Sequence, residues 1–298
     1  NAAPSHLNPD NFVRNGKPVG ETDGYSCQLV VDEAPGWLAA RPDQAKPFFL
    51  NVWFHEPHSK VAAPPELEGR HASTKNPAYY GCIENMDVAV GRLLARLDAM
   101  GVRDNTLVIF TSDNGSYMEG SNGALQGKKT QLFEGGIREP GIIRWPGHIA
   151  PGSVEQTPAG VVDLLPTICE AVGIPPVGKP LDGVSLVPLF EGQSIERTTP
   201  LFWFYNPSRP VCVIREGDWC LTADPDIELS RDNMFLESYI GDIKAAKLID
   251  FKLYNLREDP HQDRDVSAQF PERFEEMKAR IVALHKAVIE EAPDWRVQ

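Results

Sequence analysis

At 298 residues the chain is long enough for one large domain, or for a large domain with a smaller appendage. A hydrophobic content of 42% is ordinary for a globular protein, and no apolar run approaches the length of a membrane span. The net charge of −13 argues against non-specific nucleic-acid binding, so an anionic ligand would have to be attracted locally, by a metal and a few basic side chains.

Taken in order, residues 1–24 are rich in Asn, Pro, Gly and Asp and read as loop. The opening Asn1-Ala2-Ala3-Pro4 is neither an initiator methionine nor a signal peptide, which suggests a chain that begins partway through a longer protein. Cys27 to Ala40 is expected to be a short helix interrupted at Pro35, because proline removes a donor and crowds the preceding turn. Pro47 to Phe54 is an apolar run of buried-strand type that ends directly in His55-Glu-Pro-His58. Tyr79, Ile83, Met86, Val90, Leu93, Leu94, Leu97 and Met100 recur at three- and four-residue steps and predict a long helix stopped at Gly101. A second strand is expected from Leu107 to Phe110. Strand, helix, strand is a βαβ unit with parallel strands, which would carry the residues after each strand to one edge of the sheet.

Further on, Gly141 to Trp145 is strand-like, and Asp163 to Gly173 reads as a helix with Asp163 as N-cap, Pro166 in the first turn and Gly173 as stop. Residues 175–200 are loop-rich. From Pro200 the texture changes to short strands at 201–205, 211–215, 219–222 and 252–256, the pattern of a small antiparallel sheet. A final amphipathic helix opens at Phe270-Pro271, with Phe274, Met277, Ile281, Leu284 and Val288 on one face. A domain of residues 1–199 and a subdomain of residues 200–298 are therefore expected. The five cysteines, Cys27, Cys82, Cys169, Cys212 and Cys220, form no C-x-x-C pair and no disulfide framework.

The chemistry gathers after the 107–110 strand, at Ser112-Asp113-Asn114-Gly115. Two oxygen-bearing side chains on a glycine turn at a strand end are candidate ligands for a hard cation. Lys128 and Lys129 follow about fifteen residues later, and a cation beside a lysine describes an oxyanion site. His55 and His58 would come to the same sheet edge through the βαβ crossover. An Asx-turn, two solvated lysines and a pair of surface imidazoles are the plainer readings of the same residues.

Several motifs together carry a family likeness. Thr111-Ser-Asp-Asn-Gly115, Lys129 five residues before Glu134-Gly-Gly-Ile-Arg138-Glu-Pro140, Asp163-Leu-Leu-Pro-Thr167 and Leu181-Asp-Gly-Val-Ser-Leu-Val-Pro-Leu-Phe-Glu-Gly192 resemble a formylglycine-dependent (type I) sulfatase. Arg215-Glu-Gly-Asp-Trp219 and Leu253-Tyr-Asn-Leu-Arg-Glu-Asp-Pro260 are similar to the C-terminal subdomain of that family. The set is most similar to the arylsulfatase A and N-acetylgalactosamine-6-sulfatase group and covers nearly everything from about residue 25.

The resemblance implies an α/β fold: an alkaline-phosphatase-like sandwich with a mainly parallel sheet, its N-terminal part missing here, plus a C-terminal α+β subdomain with an antiparallel sheet and a terminal helix. It implies that Asp113 and Asn114 are calcium ligands, with Mg2+ as the other choice. Lys129 would contact the sulfate, His58 would protonate the leaving oxygen, and His55 and Lys128 would be substrate contacts. Glu134 and Arg138 read as a structural ion pair or loop brace, and Asn206 and Arg209 as surface loop.

The departures matter as much. No cysteine is followed by the Cys-x-Pro-Ser-Arg pattern that becomes formylglycine, and the family's Asp-Asp pair is absent. Lys60 stands where the family often has proline. The implied protein is a sulfatase acting on a sulfated carbohydrate or aryl sulfate, exported or lysosomal, with its nucleophile in a missing N-terminal segment. This chain alone would then be inactive. A phosphonate or phosphodiester hydrolase of the same superfamily, and a non-catalytic homologue that binds sulfated glycans, are the alternatives.

Overall fold

The computed structural model describes residues 2–117, 120–229 and 237–292. The chain divides into two compact units, residues 1–106 with 118–120, and residues 107–117 with 121–298.

In the first unit a small hairpin, β1 (Val13–Arg14) and β2 (Lys17–Pro18), precedes α1 (Ser26–Ala39), α2 (Pro65–Arg70) and α3 (Pro77–Ala99). Helix α1 is continuous through Pro35, contrary to the interruption expected there. Cys27, Val31, Ala34 and Leu38 recur on one buried stripe, and that burial outweighs the single backbone bond proline removes. Helix α3 forms where its periodicity predicts, and Gly101 follows it with φ +69°, the left-handed value that favours glycine. Its buried positions, however, are Gly81, Cys82, Asn85, Ala89 and Leu97, so the small residues face inward and most of the expected apolar stripe is half-buried. A Cβ on Gly81 would lie 2.9 Å from the Glu68 backbone nitrogen, so close packing of α2 on α3 requires glycine there.

The expected strand at Pro47–Phe54 has no ladder partner among the described residues. Phe54 packs with Cys27, Val31 and Ala89, but Phe49 and Trp53 are 70% and 78% exposed. The parallel βαβ pairing is likewise not formed there. An apolar run becomes a strand only where a neighbouring edge satisfies its backbone, and β3 (Val108–Thr111) takes another partner.

The second unit opens with β3. After α4 (Glu134–Ile137) the chain returns as β4 (Gly141–Arg144), which pairs antiparallel with β3 in the register Val108↔Arg144 to Thr111↔Gly141. With one neighbour, β3 is half-buried, not fully buried as its composition suggested. Helix α5 (Leu164–Val172) ends at Gly173 and has Asp163 at its N-cap position, both as expected, but the Asp163 side chain makes no cap hydrogen bond to it. Instead Asp163 is fully buried and accepts from the Gly160 and Val184 backbone nitrogens, both at 2.8 Å, and from Arg197 through both carboxylate oxygens at 2.8 and 2.7 Å. A bidentate guanidinium and two amides satisfy a carboxylate better than one N-terminal N–H would. The short α6 (Val187–Phe190) follows.

Strands β5 (Leu201–Phe204), β6 (Cys212–Glu216), β7 (Trp219–Pro225) and, after α7 (Ile240–Ala245), β8 (Leu248–Asn255) form an antiparallel sheet in the order β5-β6-β7-β8. Alternation divides its two faces. Cys212, Ile214, Leu221, Ala223 and Leu253 pack against Met277 and Ile281 of the terminal helix α8 (Pro271–Glu291). Val213, Cys220 and Tyr254 point the other way, against Leu132 and Ile137. This second face supports the segment that carries the lysines. All five cysteines are unbridged.

Candidate functional site

Asp113 and Asn114 lie just beyond the end of β3, in a turn held by the backbone of α4. The Gly115 amide donates to the Gly136 carbonyl at 3.0 Å. A Cβ on Gly115 would fall 1.9 Å from the Gly135 carbonyl oxygen, so this approach excludes any side chain. Asp113 is exposed and Asn114 half-buried. Glu139 lies in the short connection between α4 and β4, where the sequence carries no signal of a ligand. Its Oε1 is shut off from solvent with no hydrogen-bond partner. Burial first, and the negative charge of Asp113 second, push its pKa up to about 7. An orphaned carboxylate oxygen beside a second carboxylate is a place that a hard cation would stabilise, so these residues fit a calcium ion. They supply part of an oxygen set. Among the described residues no group of three or more His, Cys, Asp or Glu is placed to hold a metal.

The loop bearing the lysines is tied to the Asp113 turn. The Lys129 amide donates to the Ser116 carbonyl at 3.1 Å. Asn122 clasps both sides: its Oδ1 accepts from the Ser116 amide at 2.8 Å, and its Nδ2 donates to the Gly127 carbonyl at 3.1 Å. The Gly135 amide closes the knot on the Gln126 carbonyl at 2.7 Å. The segment is then anchored to the sheet. Ser208 Oγ accepts from the Leu132 amide at 2.9 Å, and Gln262 Oε1 from the Glu134 amide at 2.8 Å. Glu134, 1% exposed, pairs with Arg215 of β6 at 2.9 Å and with the exposed Arg138 at 3.5 Å, the structural brace its sequence suggested. Lys129 is half-buried. Lys128 is exposed, its ammonium 5.3 Å from the centre of the Tyr117 ring. Arg209 donates to the carbonyls of Asn206 and Ser208, which makes it a loop brace.

His55 and His58 belong to the first unit. His58 is exposed, and its Nδ1 lies 3.0 Å from the Ser59 carbonyl oxygen. A carbonyl only accepts, so Nδ1 carries a proton, leaving Nε2 to exchange protons with a ligand. The imidazole of His55 packs edge-on to Phe12 at 5.5 Å, and its Nδ1 is buried without a hydrogen-bond partner. Burial is the main cause that lowers its pKa, so it stays neutral at neutral pH.

The family described as Sulfatase matches residues 3–174. The chain belongs to the sulfatase family. The steryl-sulfatase of Mus musculus is 31% identical over 294 residues, covering 91% of this sulfatase chain and 46% of the relative. Arylsulfatase A of Homo sapiens is 37% identical over 221 residues, covering 65% of this chain and 42% of the relative. Among solved structures, Ps i-CgsB in complex with k-i-k-neocarrahexaose superposes with a TM-score of 0.74 at 25% identity, over 91% of this chain and 57% of that one. The fold is therefore the alkaline-phosphatase-like fold of sulfatases, here with an antiparallel sheet and a terminal helix at its C-terminal end. The sulfatase chain spans less than half the length of these two curated relatives. No helix among the described residues is long and apolar enough to cross a membrane.

Proposed function

We propose that this chain is the cation- and sulfate-holding part of a sulfuric ester hydrolase acting on a sulfated carbohydrate or an aryl sulfate. The observation that carries the reading is the direct backbone link between the Asp113-Asn114 turn and the Lys129 loop, through Lys129 to Ser116 and Gly115 to Gly136. A carboxylate, an amide oxygen and a half-buried ammonium held at one strand end suit a divalent cation and a sulfuryl group together. The resemblance to Ps i-CgsB in complex with k-i-k-neocarrahexaose supports a carbohydrate substrate.

In this reading residues 1–199 belong to the catalytic α/β domain and residues 200–298 to its C-terminal subdomain. Asp113 and Asn114, with Glu139 beside them, would hold Ca2+, whose chemistry is to neutralise charge on the sulfate oxygens. A formylglycine nucleophile would come from an N-terminal segment outside this sequence, so the 298 residues alone would be inactive. Lys129 stabilises charge that builds on the sulfuryl oxygens. His58 gives a proton from Nε2 to the departing alcohol oxygen. Lys128 and His55 contribute at the substrate's periphery. An exported or lysosomal compartment goes with the family.

Calcium titration calorimetry on the natural gene product tests the ligand assignment. Asp113→Ala should abolish binding while leaving the far-ultraviolet circular dichroism intact. Binding at wild-type affinity would overturn it.

A further inference from the structure

His6, in the loop-rich N-terminal segment, is 1% exposed and makes hydrogen bonds to two parts of the first unit, the start of α1 and the 58–60 loop. Its backbone amide donates to the Lys60 carbonyl at 3.2 Å, and its carbonyl accepts from the Ser26 amide at 2.8 Å. Its ring Nε2 meets the carbonyl oxygen of His58, and Nδ1 lies 3.0 Å from Ser26 Oγ. Ser26 Oγ is in turn bonded to Glu56 Oε1, which also accepts the Cys27 amide at 2.8 Å.

Each link has a physical reason. Ser26 and Cys27 are the first residues of α1, so their amides lack partners within the helix, and a carboxylate there is favoured by the helix dipole. Because the His58 carbonyl can only accept, Nε2 of His6 must carry a proton. Ser26 has a single hydroxyl proton, which goes either to Glu56 or to Nδ1. The first arrangement pairs an imidazolium with a carboxylate, 3.7 Å apart. The second pairs a neutral ring with a protonated acid. Both are electrically neutral overall, and both leave Nε2–H on the His58 carbonyl. A nucleophilic serine is excluded, since Ser26 is 1% exposed and the acid faces the serine instead of the imidazole.

We infer that His6, supported by Ser26 and Glu56, is a positioning residue that clamps the 58–60 loop at two carbonyls and thereby fixes the imidazole of His58. The half of this inference that concerns turnover rests on the proposed role of His58. Glu56 Oε2 is buried without a hydrogen-bond partner, so the clamp rests on the bonds through Oε1, Ser26 Oγ and the two ring nitrogens of His6; an exposed loop without such buried ties samples many geometries.

The test compares His6→Leu, His6→Gln and Ser26→Ala in the natural gene product, by amide hydrogen exchange across residues 58–61 and by kcat and KM for an aryl sulfate. The glutamine amide nitrogen reaches where Nε2 stands. His6→Leu should speed exchange about tenfold, the loss of one hydrogen bond, and lower kcat with little change in KM. His6→Gln should restore both. Should His6→Leu fail to fold, Ser26→Ala removes the support of the ring without emptying the site and should show the same pattern more weakly. Unchanged exchange in His6→Leu, or His6→Gln behaving as His6→Leu, overturns the clamp. Faster exchange with unchanged kcat upholds the clamp and removes His58 from the chemistry.

Discussion

Glu134 and Arg215, 81 residues apart in sequence, meet at 2.9 Å and join the base of the lysine loop to strand β6. The carboxylate is 1% exposed and the guanidinium 15%. Arg215→Leu would leave a buried carboxylate with only the exposed Arg138 at 3.5 Å and should destabilise the second unit by about 3 kcal/mol, within the range for a broken buried pair. Arg138→Ala, at the exposed end of the same carboxylate, should cost less than about 1 kcal/mol. Urea denaturation of both variants checks the contrast. Equal losses would mean that Arg215 is not the brace.

The two lysines should separate in kinetics. Lys129 is half-buried on the loop tied to Ser116, while Lys128 is exposed over Tyr117. Lys129→Ala in the natural gene product should lower kcat by about 10²–10³-fold, the loss expected for one group aimed at developing charge. Lys128→Ala should change kcat less than about threefold, as for a peripheral contact. The reverse order would exchange their roles.

The lysine loop also shows what a sequence conveys and what it hides. The strands at 108–111 and 201–255, the long helix α3 and the terminal helix α8 form where apolar periodicity places them, but α3 turns its small residues inward and β3 is only half-buried, because burial depends on what packs against an element. Asp113, Asn114 and Lys129 were legible because motif order placed them on loops. Glu139 was not, since its significance lies in an orphaned oxygen and a neighbouring charge, and neither is visible in Arg-Glu-Pro. His6 and Glu56 are hidden for the same reason: a partner 20, 30 or 52 residues away leaves no local period. Pro47–Phe54 erred in the other direction. Composition announced a strand, but pairing depends on a neighbour, and none of the described residues provides one.

Acid should weaken the C-terminal packing through His285. Its ring meets Phe204 edge-on at 5.0 Å, and burial lowers its pKa from the usual histidine value. The unfolded chain then binds a proton more readily than the folded one. The stabilisation is present above the unfolded value near 6.5 and is lost as pH falls through that value toward the lowered one. His285→Phe should flatten this part of the pH dependence of Tm between about pH 7.5 and 5. An unaltered slope would show that His285 is not its source.

The most direct measurement is the paired kcat/KM of the natural gene product for 4-nitrophenyl sulfate and 4-nitrophenyl phosphate, with calcium present. A clear preference for the sulfate ester, lost on Lys129→Ala, is the expected result. An equal or higher value for the phosphate ester, or turnover of the sulfate that survives Lys129→Ala unchanged, would contradict the assignment of this loop pair to a sulfuryl group.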